Sequence, residues 1–308
     1  ITLDKTSETL KVGQNASLVA SISPIKPSNA GLVWSSDNDK VAKVNQNGVI
    51  TATGRGSTNI WCKAADGAGA KAQCRVTVTQ PVTAIRLNNA NVSLFTGKNV
   101  SLSATVTPSN ANNTKVTWAS SNTKVANVSA SGYVTAIGAG TTVITCKAQD
   151  GSGVIATCKV TVKNPVTSIK LNKTTKSVFV GKTYKLKATV GPKNATSKTV
   201  TWKSSNTKVA TVSSSGVVKG KKAGTATIYC IAKDGSGVQT SCQITVTKPV
   251  TKVKLNKTSV SLKVKKSYTL KVTVGPKSAT NKSVTWKSSN KKIATVSQNG
   301  TIVAKKKG

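Results

Sequence analysis

Four tryptophans, Trp34, Trp118, Trp202 and Trp286, stand 84 residues apart, and Pro81, Pro165 and Pro249 keep the same step. Around each Trp the chain nearly repeats itself: "VTWKSSNTKVATVSSSGVVKG" from Val200, "VTWASSNTKVANVSASGYVTA" from Val116, "VTWKSSNKKIATVSQNGTIVA" from Val284, and a looser copy at Val33. A period of this length exceeds the roughly 20–50 residues of a solenoid unit that buries its core by stacking on neighbours. It suits a small domain with a core of its own. The expected units are residues 1–80, 81–164, 165–248 and 249–308. The first lacks its opening residues and the last stops at a position aligned with Gly224, without a counterpart of Thr225 to Val246. With no initiating Met, no export signal and no apolar run near 18 residues, the chain reads as a segment of a longer protein, with no transmembrane segment in this stretch.

Period two dominates each unit. "YKLKATV" puts Tyr184, Leu186, Ala188 and Val190 on one face and Lys185, Lys187 and Thr189 on the other, and "TATIYCIA" aligns Ala226, Ile228, Cys230 and Ala232. Alternation with Val, Ile and Thr enrichment predicts half-buried strands. Turn signals separate them, among them Gly191-Pro192, Ser214-Ser215-Gly216 and Asp234-Gly235-Ser236-Gly237. Strands with turns at this spacing, and no sustained helical period, predict an all-β chain of tandem immunoglobulin-like antiparallel β-sandwiches with Greek-key connections, threaded as beads on a string. Trp34, Trp118, Trp202 and Trp286 share a face with inward apolar residues and are expected in the core. Trp61 falls opposite Cys62 and is expected to point outward, where it is a candidate contact residue.

The segments "VTWKSSNTKVATVSSSGVVKGKKAGTATI" and "KDGSGVQTSCQITVT" resemble the bacterial immunoglobulin-like group 2 (BIG2) repeat family. The shared pattern runs V-x-W-x-S-S-N, V-A-x-V, S-x-G-x-V, A-G-T-x-x-I, D-G-S-G and a last T-V strand, four times along the chain. The resemblance implies an extracellular setting on a bacterial cell surface or in a secreted protein. There such domains serve as stalks, adhesin segments facing a host surface, or ancillary modules beside enzymes. It implies no catalytic site, so no functional residue is carried over.

Cysteines come as Cys62/Cys74, Cys146/Cys158 and Cys230/Cys242, twelve apart, each pair flanking an Asp-Gly-x-Gly turn. A turn centred between them would set the two thiols opposite each other on adjacent strands, within disulfide reach. Export, which the resemblance implies, favours bridges; the alternative is two buried thiols per unit acting as small apolar residues. No metal site is expected, because His and C-x-x-C are absent and each Asp-Gly turn has one carboxylate. No cofactor and no enzyme activity are expected either: without His the usual general base is missing, and seven carboxylates, five of them in residues 1–80, make no repeated acid/base pair.

The net charge of +39 is unevenly spread: +4 in residues 1–80, +6 in 81–164, +14 in 165–248 and +15 in 249–308. The fold does not require this, since the second unit keeps the pattern at less than half the charge of the third. An anionic cell-wall polymer or glycan is the candidate partner, through Lys185, Lys187, Lys203, Lys219, Lys221, Lys222, Lys263, Lys265, Lys266 and Lys287. Lysines on exposed strands also block edge-to-edge pairing, which is the purely structural alternative. Specific nucleic-acid binding is not expected, because 43 of the 46 basic residues are Lys and no basic stripe carries stacking aromatics. The joints "VTQPVTAI", "VKNPVTSI" and "VTKPVTKV" contain Pro and no Gly/Ser spacer, so they are expected to be semi-rigid. Four units end to end would span about 130–150 Å.

Overall fold

The computed structural model describes residues 1–23, 31–67 and 69–308, and every described regular element is a strand. By contact the chain divides into two compact units, Ile1–Lys163 and Asn164–Gly308, each holding two copies of the repeat.

The third repeat shows the design. A four-stranded sheet runs in the order Thr175–Phe179, Gln239–Thr247, Gly224–Ala232, Val200–Ser204. A three-stranded sheet runs Thr183–Lys185, Val217–Gly220, Ala210–Val212, and Ser168–Leu171 pairs with Ala188–Gly191. The first and second repeats copy these sheets strand for strand. Each of these three repeats is therefore an immunoglobulin-like β-sandwich. One pair in each is parallel: Thr175–Phe179 lies alongside Gln239–Thr247 in the same direction, as Asn91–Phe95 does with Ile155–Lys163 and Ser7–Lys11 with Lys71–Thr79.

The alternation read from the sequence becomes the core. Val178, Leu186, Ala210, Val218, Ala226, Ile228, Cys242, Ile244 and Val246 from both sheets form one buried cluster in the third repeat. Equivalent clusters, built on Ile50, Ile60 and Val76 and on Val134, Ile144 and Val160, serve the first two. Burial of such side chains contributes roughly 1.5–3 kcal/mol each relative to exposure, so each of the first three repeats holds an apolar core of its own. Trp34 is buried; Trp118 and Trp202 pack half-buried against their clusters, and Trp286 is half-buried as well. The "SSN" segments are turns, as their short polar side chains dictate: Asn206 N–H donates to Ser204 Oγ at 3.2 Å and Lys208 N–H to Asn206 Oδ1 at 3.1 Å.

The fourth repeat keeps the three-stranded sheet (Ser267–Thr269, Thr301–Ala304, Ala294–Val296) and the pair Lys252–Leu255 with Val272–Gly275. The 308 residues hold no counterpart there of the hairpin Gly224–Thr247. Residues 259–263 and 284–288, whose equivalents pair with that hairpin, consequently form no strand.

Candidate functional site

With the chain organised as a series, its distinctive chemistry sits where one repeat hands over to the next. At the first joint Gln80 and Asn112 bond reciprocally: Asn112 N–H donates to the Gln80 carbonyl at 2.8 Å, and Gln80 N–H donates back to Asn112 Oδ1. The same exchange links Asn164 with Thr196 (2.9 and 2.8 Å) and Lys248 with Thr280 (2.9 and 2.7 Å). Thus the residue before each joint proline is tied at both its N–H and its C=O to a loop residue 32 positions on, inside the repeat that follows.

The residue after the proline is tied as well. Val82 is 2 % exposed and packs with Ala111 and Ala148; Val166 is 1 % exposed and packs with Ile169, Ala195 and Cys230. Their backbone N–H groups donate to carboxylates at the hairpin tips, Val82 to Asp150 Oδ2 at 2.5 Å and Val166 to Asp234 Oδ2 at 2.6 Å. The other carboxylate oxygen accepts from the turn itself, Ser152 N–H and Ser236 N–H each at 3.0 Å. Asp150 and Asp234 thus each fasten the turn and the joint together. Hydrogen bonds from the Ser152 side chain and then the Val82 N–H hold the Asp150 carboxyl below its ordinary range. Partial burial pushes Asp234 the other way, and the bonds from Ser236 and Val166 outweigh it, so that carboxyl is lowered too. In the first repeat Ala68 of the corresponding turn lies outside the described residues.

The first joint has an extra crossing. The Arg55 guanidinium donates to the carbonyls of Asn110 at 3.2 Å and Ala111 at 3.1 Å, reaching from the first repeat into the loop that also carries Asn112. Positions 139 and 223, one and two periods on, are Ala. The third joint has an open hollow instead, lined by Phe179, Thr247, Lys248, Pro249, Val250 and Thr280, and Val250 is 37 % exposed.

The cysteines depart from the facing arrangement. Ile60 pairs with Cys74 and Cys62 with Ala72, so the hairpin turns about Gly67 and the two thiols are offset by two residues; Ile144/Cys158 with Cys146/Ala156 and Ile228/Cys242 with Cys230/Thr240 repeat the offset. Such diagonal neighbours lie about 7–8 Å apart at Cα, beyond the usual disulfide span. Cys62, Cys74, Cys146, Cys158, Cys230 and Cys242 stand in the structure as buried free thiols. Burial raises all six pKa values, that of Cys230 to about 11, which suits apolar packing rather than nucleophilic chemistry.

Trp61 faces outward as its register demands, but it already has partners. Its Nε1–H donates to Asp37 Oδ1 at 2.9 Å, Asn59 donates to the other oxygen at 3.0 Å, and Lys71 Nζ sits 5.0 Å from the ring centroid. The ten candidate lysines are all exposed, and none has an ion-pair partner among the described residues. They do not converge on one cleft. Lys185 and Lys219 lie on the three-stranded sheet, and the Lys185 ammonium donates to the Ser215 carbonyl. Lys203 lies beside Tyr229 on the other sheet. Lys221 and Lys222 follow the central strand of the three-stranded sheet, with both backbone N–H groups bonded to the Val209 carbonyl. Lys187 follows Thr183–Lys185, and Lys263, Lys265 and Lys266 surround the turn before Ser267–Thr269. Lys287, the equivalent of Lys203, lines an open hollow with Trp286. No group of His, Cys, Asp or Glu among the described residues could hold a metal.

An immunoglobulin-like β-sandwich repeated along the chain, with proline joints between the copies, defines a class of modular tandem β-domain. The chain belongs to the bacterial Ig-like domain (group 2) family, whose profile matches residues 1–76, 81–160, 165–243 and 249–308. It is 38 % identical over 172 residues to an uncharacterised protein of Clostridium acetobutylicum, covering 56 % of this chain and 18 % of that one. It is 32 % identical over 170 residues to an Ig-like virion protein of Serratia phage KSP90, covering 54 % of this chain and 66 % of the relative. It is 36 % identical over 162 residues to an alpha-L-arabinofuranosidase of Bifidobacterium longum, covering 51 % and 13 %. The chain thus spans less than two thirds of the length of each of these relatives.

Proposed function

We propose that this stretch is a non-catalytic spacer: a semi-rigid series of Ig-like domains, residues 1–80, 81–164, 165–248 and 249–308, that sets the distance between other parts of a bacterial cell-surface or secreted protein. The observation that carries this reading is the fastening of each joint proline, with a reciprocal bond pair on the residue before it. A free hinge needs no such bonds. Small-angle scattering of the 308-residue chain should give an elongated particle of about 130–150 Å, as four strand-length domains in line require. A compact particle would sink the spacer.

Two further readings each have an observation behind them. The relation to an arabinofuranosidase supports an ancillary role beside an exported enzyme; catalytic domains in the flanking sequence would decide for it. Ten exposed lysines without acidic partners, concentrated in the two most basic repeats, support a module that holds an anionic wall polymer or glycan, or an acidic host surface. Salt-sensitive retention on purified cell wall, stronger for residues 165–308 than for 1–164, would establish that module, and equal retention would remove it.

A further inference from the structure

We propose that the parallel pair in each of the first three repeats is a shear lock, which lets the chain carry tension along its length. This goes beyond the spacer reading, because a spacer has to keep a distance but need not resist a pull.

The argument rests on direction. In the third repeat Thr175–Phe179 and Gln239–Thr247 run parallel, with Thr175 opposite Gln243 and Phe179 opposite Thr247. The ladder is closed at one end by Gln243 N–H donating to the Thr174 carbonyl and at the other by Val180 N–H donating to the Thr247 carbonyl, both 2.9 Å. The chain enters this repeat upstream of Thr175 and leaves it downstream of Thr247. Tension from the two ends therefore pulls the first strand toward its N-terminus and the last toward its C-terminus. The strands are asked to slide past each other, and the evenly spaced bonds of a parallel ladder are strained together rather than one after another. Sliding would also drag Val178 and Val246 out of the core. The upstream pair, Ser168–Leu171 with Ala188–Gly191, lies outside the ladder, so its release leaves the lock closed.

The lock recurs in register. Ser7–Lys11 pairs with residues 75–79, and Val12 N–H closes it on the Thr79 carbonyl at 3.0 Å; Asn91–Phe95 pairs with residues 159–163, closed by Thr96 N–H on Lys163 at 3.0 Å. Among the described residues the fourth repeat has no such ladder. Forced unfolding is governed by the barrier along the pulling direction rather than by overall stability, so the property is read by changing that direction.

The full chain is to be stretched between residues 1 and 308 in a single-molecule force instrument. Three high-force events are expected, each releasing on the order of 250 Å of chain. A Gln239→Cys variant is then held at residue 1 and at the introduced thiol, the six native cysteines being buried. In that geometry the third repeat is loaded at the N-terminal ends of both parallel strands, so its ladder opens pair by pair, while the first two repeats are still sheared. Two high-force events and a third at several-fold lower force are expected; the same variant held at its ends should give all three, since Gln239 is exposed. An unchanged third force at residue 239, or fewer than three high-force events from the ends of the wild-type chain, overturns the proposal. Neither result bears on the particle length that tests the spacer.

Discussion

Gly216 lies directly beneath the indole of Trp202. A Cβ built on it would stand 2.9 Å from Cζ2 and 3.0 Å from Cε2 of the ring, and 2.8 Å from the Leu186 carbonyl oxygen. Its φ is +80°, in the left-handed region. The same pairing recurs as Gly48/Trp34, Gly132/Trp118 and Gly300/Trp286, so the S-x-G or N-G turn and the tryptophan that define the repeat form a single contact.

Gly216→Ala meets both a conformational cost and a collision with backbone, and should destabilise the third repeat by about 2–4 kcal/mol. Gly181→Ala isolates the first cost, because φ there is +79° with open space around the new methyl group; about 1 kcal/mol is expected. Urea unfolding of the two variants checks the difference. Equal losses would mean that the indole yields.

Lys265 occupies the same turn position one period after Gly181, with φ +64°, while the other three repeats carry Gly13, Gly97 and Gly181 there. A left-handed conformation costs an L-residue roughly 1–2 kcal/mol relative to Gly. Lys265→Gly should therefore stabilise the fourth repeat by about 1 kcal/mol, offset in part by the added freedom of the unfolded glycine. Denaturant midpoints before and after substitution measure it; a loss of stability would show that the lysine side chain is held by something that outweighs the strain.

Much of this architecture was legible in the residues. Period-two alternation at Tyr184–Val190 and Ala226–Ala232 named the inward faces correctly, because burial on one side of a sheet leaves little freedom in side-chain choice. The offset of the cysteines was not legible. Spacing alone places a turn midway between Cys62 and Cys74, whereas the hairpin turns about Gly67, one residue earlier. The joint chemistry was hidden for another reason. Gln80 with Asn112 and Asp150 with Val82 join a side chain to a backbone group, and a backbone N–H has no letter in the sequence. A polar residue recurring 32 positions after each joint was the available signal. The parallel pair leaves no mark in the alternation, which is the same for either direction.

Acid should loosen the second and third repeats before it unfolds their cores. Asp150 and Asp234 have lowered pKa values in the folded chain. A group whose folded pKa is depressed contributes stability that is fully present above its unfolded value, near 3.9, and is lost as pH falls through the folded one. The expected window is thus below about pH 4. Protection of the Val82 and Val166 amides, taken relative to the intrinsic exchange rate at each pH, should fall there, and Asp150→Asn and Asp234→Asn should show lower protection already at neutral pH, with a weaker acid dependence. An unaltered exchange rate in these variants would mean that burial of the two valines alone fixes the joints.

The six cysteines provide the last prediction. Each is fully buried, each thiol pKa is raised by burial, and each pair is diagonal across its hairpin. An aromatic disulfide reagent should find no reactive thiol in the native chain and six in denaturant without reductant. Reductant should leave the unfolding midpoint where it was. A bridge closing a loop of about 12 residues would instead make the oxidised hairpin more stable by roughly 2–3 kcal/mol, and reduction would remove that gain. Cys242→Ala should cost about 1 kcal/mol, the usual consequence of a methyl-sized void, because Cys242 packs among Leu186, Ile228 and Ile244 as a small apolar group. Fewer than six thiols in denaturant, together with a midpoint that falls on reduction, would require the last two strands to slip by two residues in register. Such a slip would keep the inward faces inward but move Ile244 and Val246 along the core.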